Sequence, residues 1–174
     1  MTVYTKKGDT GKTGTLKGIG SKTDAVYAVL GTLDELNASL GVLHQSRSTL
    51  LKKQVIEIQS DLFMLGSWLA GSPKAEIFGR HLAKKVAGFE NYIDEMDAQN
   101  KPIKNFILPG GSFESGFLHI SRTVSRRLER QLVLYFDKHK QKGSEDILKY
   151  ANRLSDYLFV LARYYNKKGR GDIL

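Results

Sequence analysis

Arg122, Arg126 and Arg130 are the residues whose type and spacing speak first of chemistry. With His119 and Glu129 they fall within an arc of about 100° when each residue advances 100° around a helix. The apolar Phe117, Ile120, Val124 and Leu128 lie roughly opposite. Like charges at this spacing repel by roughly a few tenths of a kcal/mol per pair, and Glu129 can offset only one of them. Guanidinium forks match phosphate oxygens, so an anionic ligand would compensate. A solvated charged face is the alternative, and the stripe alone leaves both open.

A second candidate is the segment Thr5-Lys6-Lys7-Gly8-Asp9-Thr10-Gly11-Lys12-Thr13-Gly14. Gly11-Lys12-Thr13 ends like the phosphate loop G-x-x-x-x-G-K-[ST]. The first glycine of that pattern would fall on Lys6, and only Met1 to Tyr4 lie upstream, too few for the buried strand the fold needs. The P-loop fold is therefore excluded. Backbone N–H groups beside glycines can still form an anion nest to which lysines add charge; a flexible basic terminus is the competing reading.

Two further faces carry chemistry. Gly31, Asp34, Ala38 and Gly41 share one side of a helix, away from its leucines. Small residues there admit a second backbone or a flat ligand, and a covered Asp34 would need a partner; a surface aspartate among incidental glycines is the plainer reading. Asn152, Asp156, Phe159 and Arg163 share another face, which suits a ligand, a subunit seam or an ordinary amphipathic helix. His44, His81, His119 and His139 show no metal-ligand spacing and are expected as surface or hydrogen-bonded histidines, so no residue is assigned to a metal. Arg170-Gly171-Asp172 resembles an adhesion tripeptide by chance.

The elements that position these residues follow from hydrophobic periodicity. Residues 1–20 hold five glycines and no helical period, which predicts a loop or frayed arm. A capping box is expected from Ser21 to Asp24. Apolar residues then recur at three and four positions from Val26 to Leu43, from Leu51 to Leu69 and from Leu82 to Met96. Gly71-Ser72-Pro73 and Asn100 to Pro102 break these runs. An apolar approach from Phe106 to Gly111 leads to an N-cap at Ser112. A fourth helix carries Phe117, Ile120, Val124, Leu128, Leu132 and Tyr135, and a fifth follows Gly143-Ser144 with Ile147, Ala151, Leu154, Leu158 and Leu161. The expected fold is all-α: a five-helix antiparallel bundle with a flexible Gly/Lys/Thr-rich N-terminal loop.

Length and composition fit one domain spanning 1–174. The absence of cysteine removes disulfides, thiolate metal sites and a cysteine nucleophile together. No secretory segment opens the chain and no stretch nears the ~20 apolar residues of a membrane span, so a cytoplasmic protein is expected. Twenty-seven Lys and Arg against eighteen Asp and Glu give a net charge of +9, which favours anionic partners without choosing among them.

The pieces together resemble the PduO-type ATP:cob(I)alamin adenosyltransferases. The matching segments are Tyr4 to Gly11, Gly31-Thr32-Leu33-Asp34-Glu35-Leu36-Asn37-Ala38, Phe106-Ile107-Leu108-Pro109-Gly110-Gly111, Leu118 to Arg130, and Asn152 to Phe159, in the family's order. The resemblance implies a homotrimer with active sites between subunits. It implies that Thr5, Lys6, Lys7, Gly8, Thr13, Gly14 and Lys22 hold ATP, and that Arg126, Arg127, Glu129, Arg130 and Asn152 complete that site, with Arg126 as the main triphosphate clamp. It implies that Asp34 pairs with Arg122 across the interface, that Phe106 sits against the lower face of the corrin, and that Phe159 is a second corrin contact.

The implied reaction is attack of Co(I) of cobalamin on the 5′-carbon of ATP, with triphosphate as leaving group and Mg2+ on the phosphates. Cobalt supplies the nucleophile, so no Ser, Cys or His nucleophile is required. A Co(II) reductase and an adenosylcobalamin-dependent enzyme are the implied partners. Ser121 and Leu128 stand where the family often has alanine, and the tail after Arg163 is short for one that closes over the corrin. Two other readings are weighed: a non-catalytic bundle that carries adenosylcobalamin or senses nucleotide, and a basic nucleic-acid binder. The second would need aromatic readers among the arginines, which the sequence lacks, so neither nucleic acid nor membrane is expected as a partner.

Overall fold

The computed structural model describes residues 4–72, 76–141 and 143–167, with the side chains of 76–80 left aside. The described residues form a hairpin of β1 (Lys12–Thr15) and β2 (Gly18–Ser21), then α1 (Ala25–Gly41), a 3₁₀ turn (Val42–Gln45), α2 (Thr49–Leu69), α3 (Glu76–Asp97), α4 (Phe113–Lys138) and α5 (Ser144–Asn166). This is the five-helix bundle that periodicity predicts. Helix α5 packs between α3 and α4, and α1 lies on α4 and α2. The leucines of all five helices meet in one core, with Leu36, Leu40, Leu118, Leu132, Leu154 and Leu158 fully buried. No described helix is long and apolar enough to cross a membrane.

Ends are set where the sequence places special residues. The Ser112 hydroxyl accepts from Ser115 N–H at 3.1 Å and caps α4 as expected. Gly71 follows α2 with φ +93, and Gly143 precedes α5 with φ +89, a region that glycine enters without steric cost. Pro73 lies outside the described residues, as does the tail with Arg170, Gly171 and Asp172.

Three expectations need amending. The segment read as a loop contains a two-stranded hairpin, in which Thr13 pairs with Gly20 and Gly14 with Ile19. Its strands are four residues long and glycine-rich, too short to show alternation. Only half of the capping box forms: Asp24 accepts from Ser21 N–H at 2.9 Å, but Ser21 Oγ turns to Thr23 Oγ1 at 2.7 Å, and α1 starts at Ala25.

The third concerns the face of α4. Its buried side runs through Ser115, Leu118, Ser121, Ser125, Leu128 and Leu132, whereas Phe117 is half-buried and Ile120 is 50% exposed. Serines can enter this seam because their hydroxyls are satisfied nearby. Ser125 donates to Arg122 O at 2.8 Å, and Ser121 shares a 3.0 Å hydrogen bond with Ser39 of α1. His119 is drawn onto the buried side and leaves the arginine stripe with which periodicity grouped it.

Candidate functional site

Helix α4 sets out Arg122, Arg126 and Arg130 one turn apart. Arg126 and Arg130 are exposed and have no ion pair or hydrogen-bond partner among the described residues. Arg122 is half-buried. Its guanidinium lies 6.0 Å from the Phe159 ring of α5, and its buried Nε meets no acceptor. Burial, followed by the charge of Arg126, holds the Arg122 guanidinium below its usual value. The acids that could neutralise this stripe are engaged elsewhere or absent. Glu129 accepts from Asn152 Nδ2 at 2.8 Å, a hydrogen bond that links α4 and α5. Glu35 of α1 pairs with Arg127, the one arginine of this run that has an acid among the described residues.

Asp34 is the reverse case. It is exposed on α1 without a partner among the described residues, at the edge of a hollow of about 280 Å³ lined by Leu30, Leu33, Asn37, Leu62, Phe63 and Gly66. Within one chain it does not meet Arg122.

The N-terminal segment is ordered by its own hydrogen bonds. Lys22 Nζ donates to Gly8 O at 2.9 Å, and Lys22 N–H to Gly11 O at 2.9 Å. Tyr27 donates to Thr13 O at 3.2 Å, tying the hairpin to α1. Lys6 takes φ 57, a left-handed conformation that non-glycine residues seldom adopt, and Thr5, Lys6 and Lys7 stay exposed. The hairpin faces a hollow of about 480 Å³ that reaches Tyr135, Lys138 and His139 at the end of α4. No described hydrogen bond or ion pair joins Thr5, Lys6, Lys7, Gly8, Thr13, Gly14 or Lys22 to Arg126 or Arg130. The two sets of residues expected to hold ATP thus make no direct polar contact with each other among the described residues.

Phe106 is wholly exposed, at 101% of the reference area. It lies on the irregular segment between α3 and α4, beside Leu108, which is 60% exposed. A hollow of about 420 Å³ lies where this segment enters α4, lined by Pro109, Phe113, Gly116, Phe117, Ile120 and Thr123 among others. The Phe113 and Phe117 rings stand 4.8 Å apart there. Phe159, by contrast, is half-buried against His119 at 6.1 Å and against Arg122.

Two charged residues have buried roles: Asp61, which the sequence does not single out, and Arg163, which helical spacing groups with the Asn152 face. Asp61 of α2 is 6% exposed; Lys85 lies 3.1 Å away and Tyr150 donates to it at 3.2 Å. Burial raises its carboxyl above the usual range despite the opposing Lys85 charge. The signal was its place in the leucine stripe, between Ile58 and Leu62. Arg163 of α5 is 3% exposed and is held by Asp97 and by Lys101 O.

A family model described as cobalamin adenosyltransferase matches residues 3–165. The corrinoid adenosyltransferase of Bacillus subtilis (strain 168) is 37% identical over 179 residues, covering 99% of this chain and 91% of that one. The Homo sapiens corrinoid adenosyltransferase is 37% identical over 93% of this chain and 68% of its own. A phenylalanine-to-alanine variant of a PduO-type ATP:corrinoid adenosyltransferase from Lactobacillus reuteri, complexed with cobalamin and ATP, superposes with a TM-score of 0.86. That structure is 35% identical and covers 99% of this chain and 98% of that one. An arginine-to-lysine variant of the same enzyme, complexed with ATP, gives a TM-score of 0.87 at 35% identity, with 99% of each chain covered. By its sequence over nearly the whole length, and by the fold that carries it, this chain belongs to the cobalamin adenosyltransferase family.

Proposed function

We propose that the whole chain acts as one adenosyltransferase domain, moving the 5′-deoxyadenosyl group of ATP to Co(I) of cobalamin. The observation that carries this reading is the stripe of Arg122, Arg126 and Arg130, unneutralised on a helix whose nearby acids are engaged by Asn152 and Arg127. Such a row is built for a polyanion that the chain does not itself provide. Triphosphate is that polyanion both as part of the substrate and as leaving group.

The reaction balances without a protein nucleophile. The Co(I) electron pair forms the Co–C5′ bond, the C5′–O bond breaks, and triphosphate leaves with the bond's electrons. Protein residues position the two substrates and stabilise the charge that grows on the departing oxygen. Arg126 and Arg130 face that charge, while Asn152 holds Glu129 beside them. Magnesium would arrive on the nucleotide, since Mg2+ binds substrate phosphates and keeps much of its water; Glu129 would be the carboxylate of this helix face available to its water shell. The Gly8–Lys22 clasp and the hairpin present Thr5, Lys6, Lys7, Thr13 and Gly14 to the nucleotide of a neighbouring copy.

A trimer would bring the N-terminal residues of one copy and the arginine row of another to one nucleotide, and would pair Asp34 with Arg122. Phe106, with no packing of its own, meets the lower face of the corrin, where an apolar ring displaces the lower ligand and makes Co(II) easier to reduce. A cytoplasmic Co(II) reductase would supply the electron, and an adenosylcobalamin-dependent enzyme would receive the product. Incubating the protein with ATP, magnesium and chemically reduced cobalamin tests the reading. The corrin spectrum should change to that of adenosylcobalamin with release of triphosphate; an unchanged spectrum with active reductant present refutes it.

A further inference from the structure

We infer that the last turn of α5 sets where Phe106 stands, with Arg163 and Asn166 as positioning residues for the segment between α3 and α4. The inference rests on the adenosyltransferase reading for its consequence, but not for its geometry. At one end of the segment, Arg163 Nη1 donates to Asp97 Oδ1 at 3.2 Å and Nη2 donates to Lys101 O at 2.5 Å. At the other end, Ser112 N–H donates to Asn166 Oδ1 at 3.0 Å, and Ser112 Oγ to Tyr165 O at 3.4 Å. Ser115 Oγ closes the turn on Gly110 O at 2.8 Å. Both ends of 101–112 are thus fastened to residues 163–166, one turn of a single helix.

The chemistry of the anchors favours position over bulk stability. Arg163 is 3% exposed, while its partner Asp97 remains 59% exposed at the side chain. Burying a cation is costly, and an apolar residue would fill the same volume at less cost. What only a guanidinium supplies is a planar fork that reaches two acceptors on a chain segment at once. Gly111 shows the same closeness from the other side. It takes φ +100, and a Cβ there would stand 2.0 Å from Asn166 Oδ1. Phe106, midway between these anchors and wholly exposed, has no packing among the described residues that could place its ring, which leaves the anchors to do so.

The test uses Arg163→Met, which keeps volume and removes the fork, Arg163→Lys, and Gly111→Ala at an exposed glycine. Two readouts are taken. One is amide hydrogen exchange of residues 101–111 in the protein without ligand, with 118–136 as internal reference. The other is the kinetic split between corrinoid and ATP, together with the electron paramagnetic resonance signal of four-coordinate Co(II). Arg163→Met and Gly111→Ala should speed exchange in 101–111 and leave 118–136 protected. They should raise KM for the corrinoid and weaken the Co(II) signal with KM for ATP unchanged, and lower turnover on the order of 100-fold, as misplacement of a reacting pair does. Arg163→Lys should fall between.

Folded variants with unchanged exchange in 101–111 overturn the clamp. Faster exchange with unchanged corrinoid kinetics overturns the positioning role. If Arg163→Met does not fold, Gly111→Ala decides alone, because its side chain would point at Asn166 from outside the core. A wild-type protein that makes no adenosylcobalamin sinks the functional reading instead, and the exchange data still judge the clamp.

Discussion

Truncating Phe106 to alanine should leave the fold untouched and weaken only what covers the ring. The side chain is fully exposed, so its removal returns no buried apolar area to water within the chain. Surface substitutions of this kind fall within about 0.5 kcal/mol. A core phenylalanine such as Phe89, at 7% exposure, would cost ~3–5 kcal/mol instead. If the corrin covers Phe106, burying the ring contributes ~1.5–3 kcal/mol to binding. At 1.4 kcal/mol per tenfold, its loss raises the apparent Kd for cobalamin by roughly 10- to 150-fold. Urea unfolding, cobalamin titration and electron paramagnetic resonance of Co(II) measure the three quantities. The urea midpoint should hold and ATP binding persist, while the four-coordinate signal disappears. Turnover from pre-reduced Co(I), which has already lost its lower ligand, should fall less than turnover that starts from Co(II). A shifted urea midpoint, or a retained four-coordinate signal with wild-type affinity, would refute the argument.

Arg126→Ala should lower turnover by about 100-fold or more through loss of a charge-assisted contact on the leaving group. Arg126→Lys should rescue little, since a point charge cannot fork; near-normal steady-state rates would remove Arg126 from the clamp. Light scattering should give a trimer, and Asp34→Asn and Arg122→Ala should each harm corrinoid handling more than ATP binding, an expectation that a fully active monomer contradicts. Burial, then the Asp61 charge, pushes the Tyr150 hydroxyl well above its usual range, and burial with Tyr92 raises Tyr157 likewise. The folded state therefore keeps protons that the unfolded chain releases, and the stability this contributes is present below about pH 10 and lost as pH rises toward the raised values. The urea midpoint should decline above that pH, and Tyr157→Phe should flatten the decline; an equal slope in the variant speaks against the assignment.

Long leucine periods were legible because each of the five runs repeats over several turns, and tertiary packing had only to agree with them. The face of α4 was less so. Hydropathy discards Ser115, Ser121 and Ser125, yet their hydroxyls bond to backbone or to Ser39 and let α4 approach α1 closely. Phe117 and Ile120, apolar by type, were displaced to the rim as a result. The hairpin escaped because KTGT and GIGS carry glycine where alternation would be read. Asn152 and Glu129 come together from helices that sequence spacing cannot relate, and only the resemblance placed them in one site. Phe106 shows the limit most clearly. Periodicity marks it as apolar and says nothing of exposure, which depends on where the segment's two anchors lie on α5.

The unneutralised row on α4 also makes salt act in opposite senses on two states of the protein. Successive arginines four residues apart are separated by about 6 Å of helical rise, inside the Debye length of ~10 Å at 0.1 M ionic strength and beyond that of ~3 Å at 1 M. In the ligand-free chain, with its net charge of +9, added electrolyte screens self-repulsion and stabilises the folded helix. Once a polyphosphate lies along the row, the same electrolyte screens attraction and loosens the complex. The thermal gain on adding triphosphate should therefore shrink from both ends as salt rises, the free form climbing while the bound form descends.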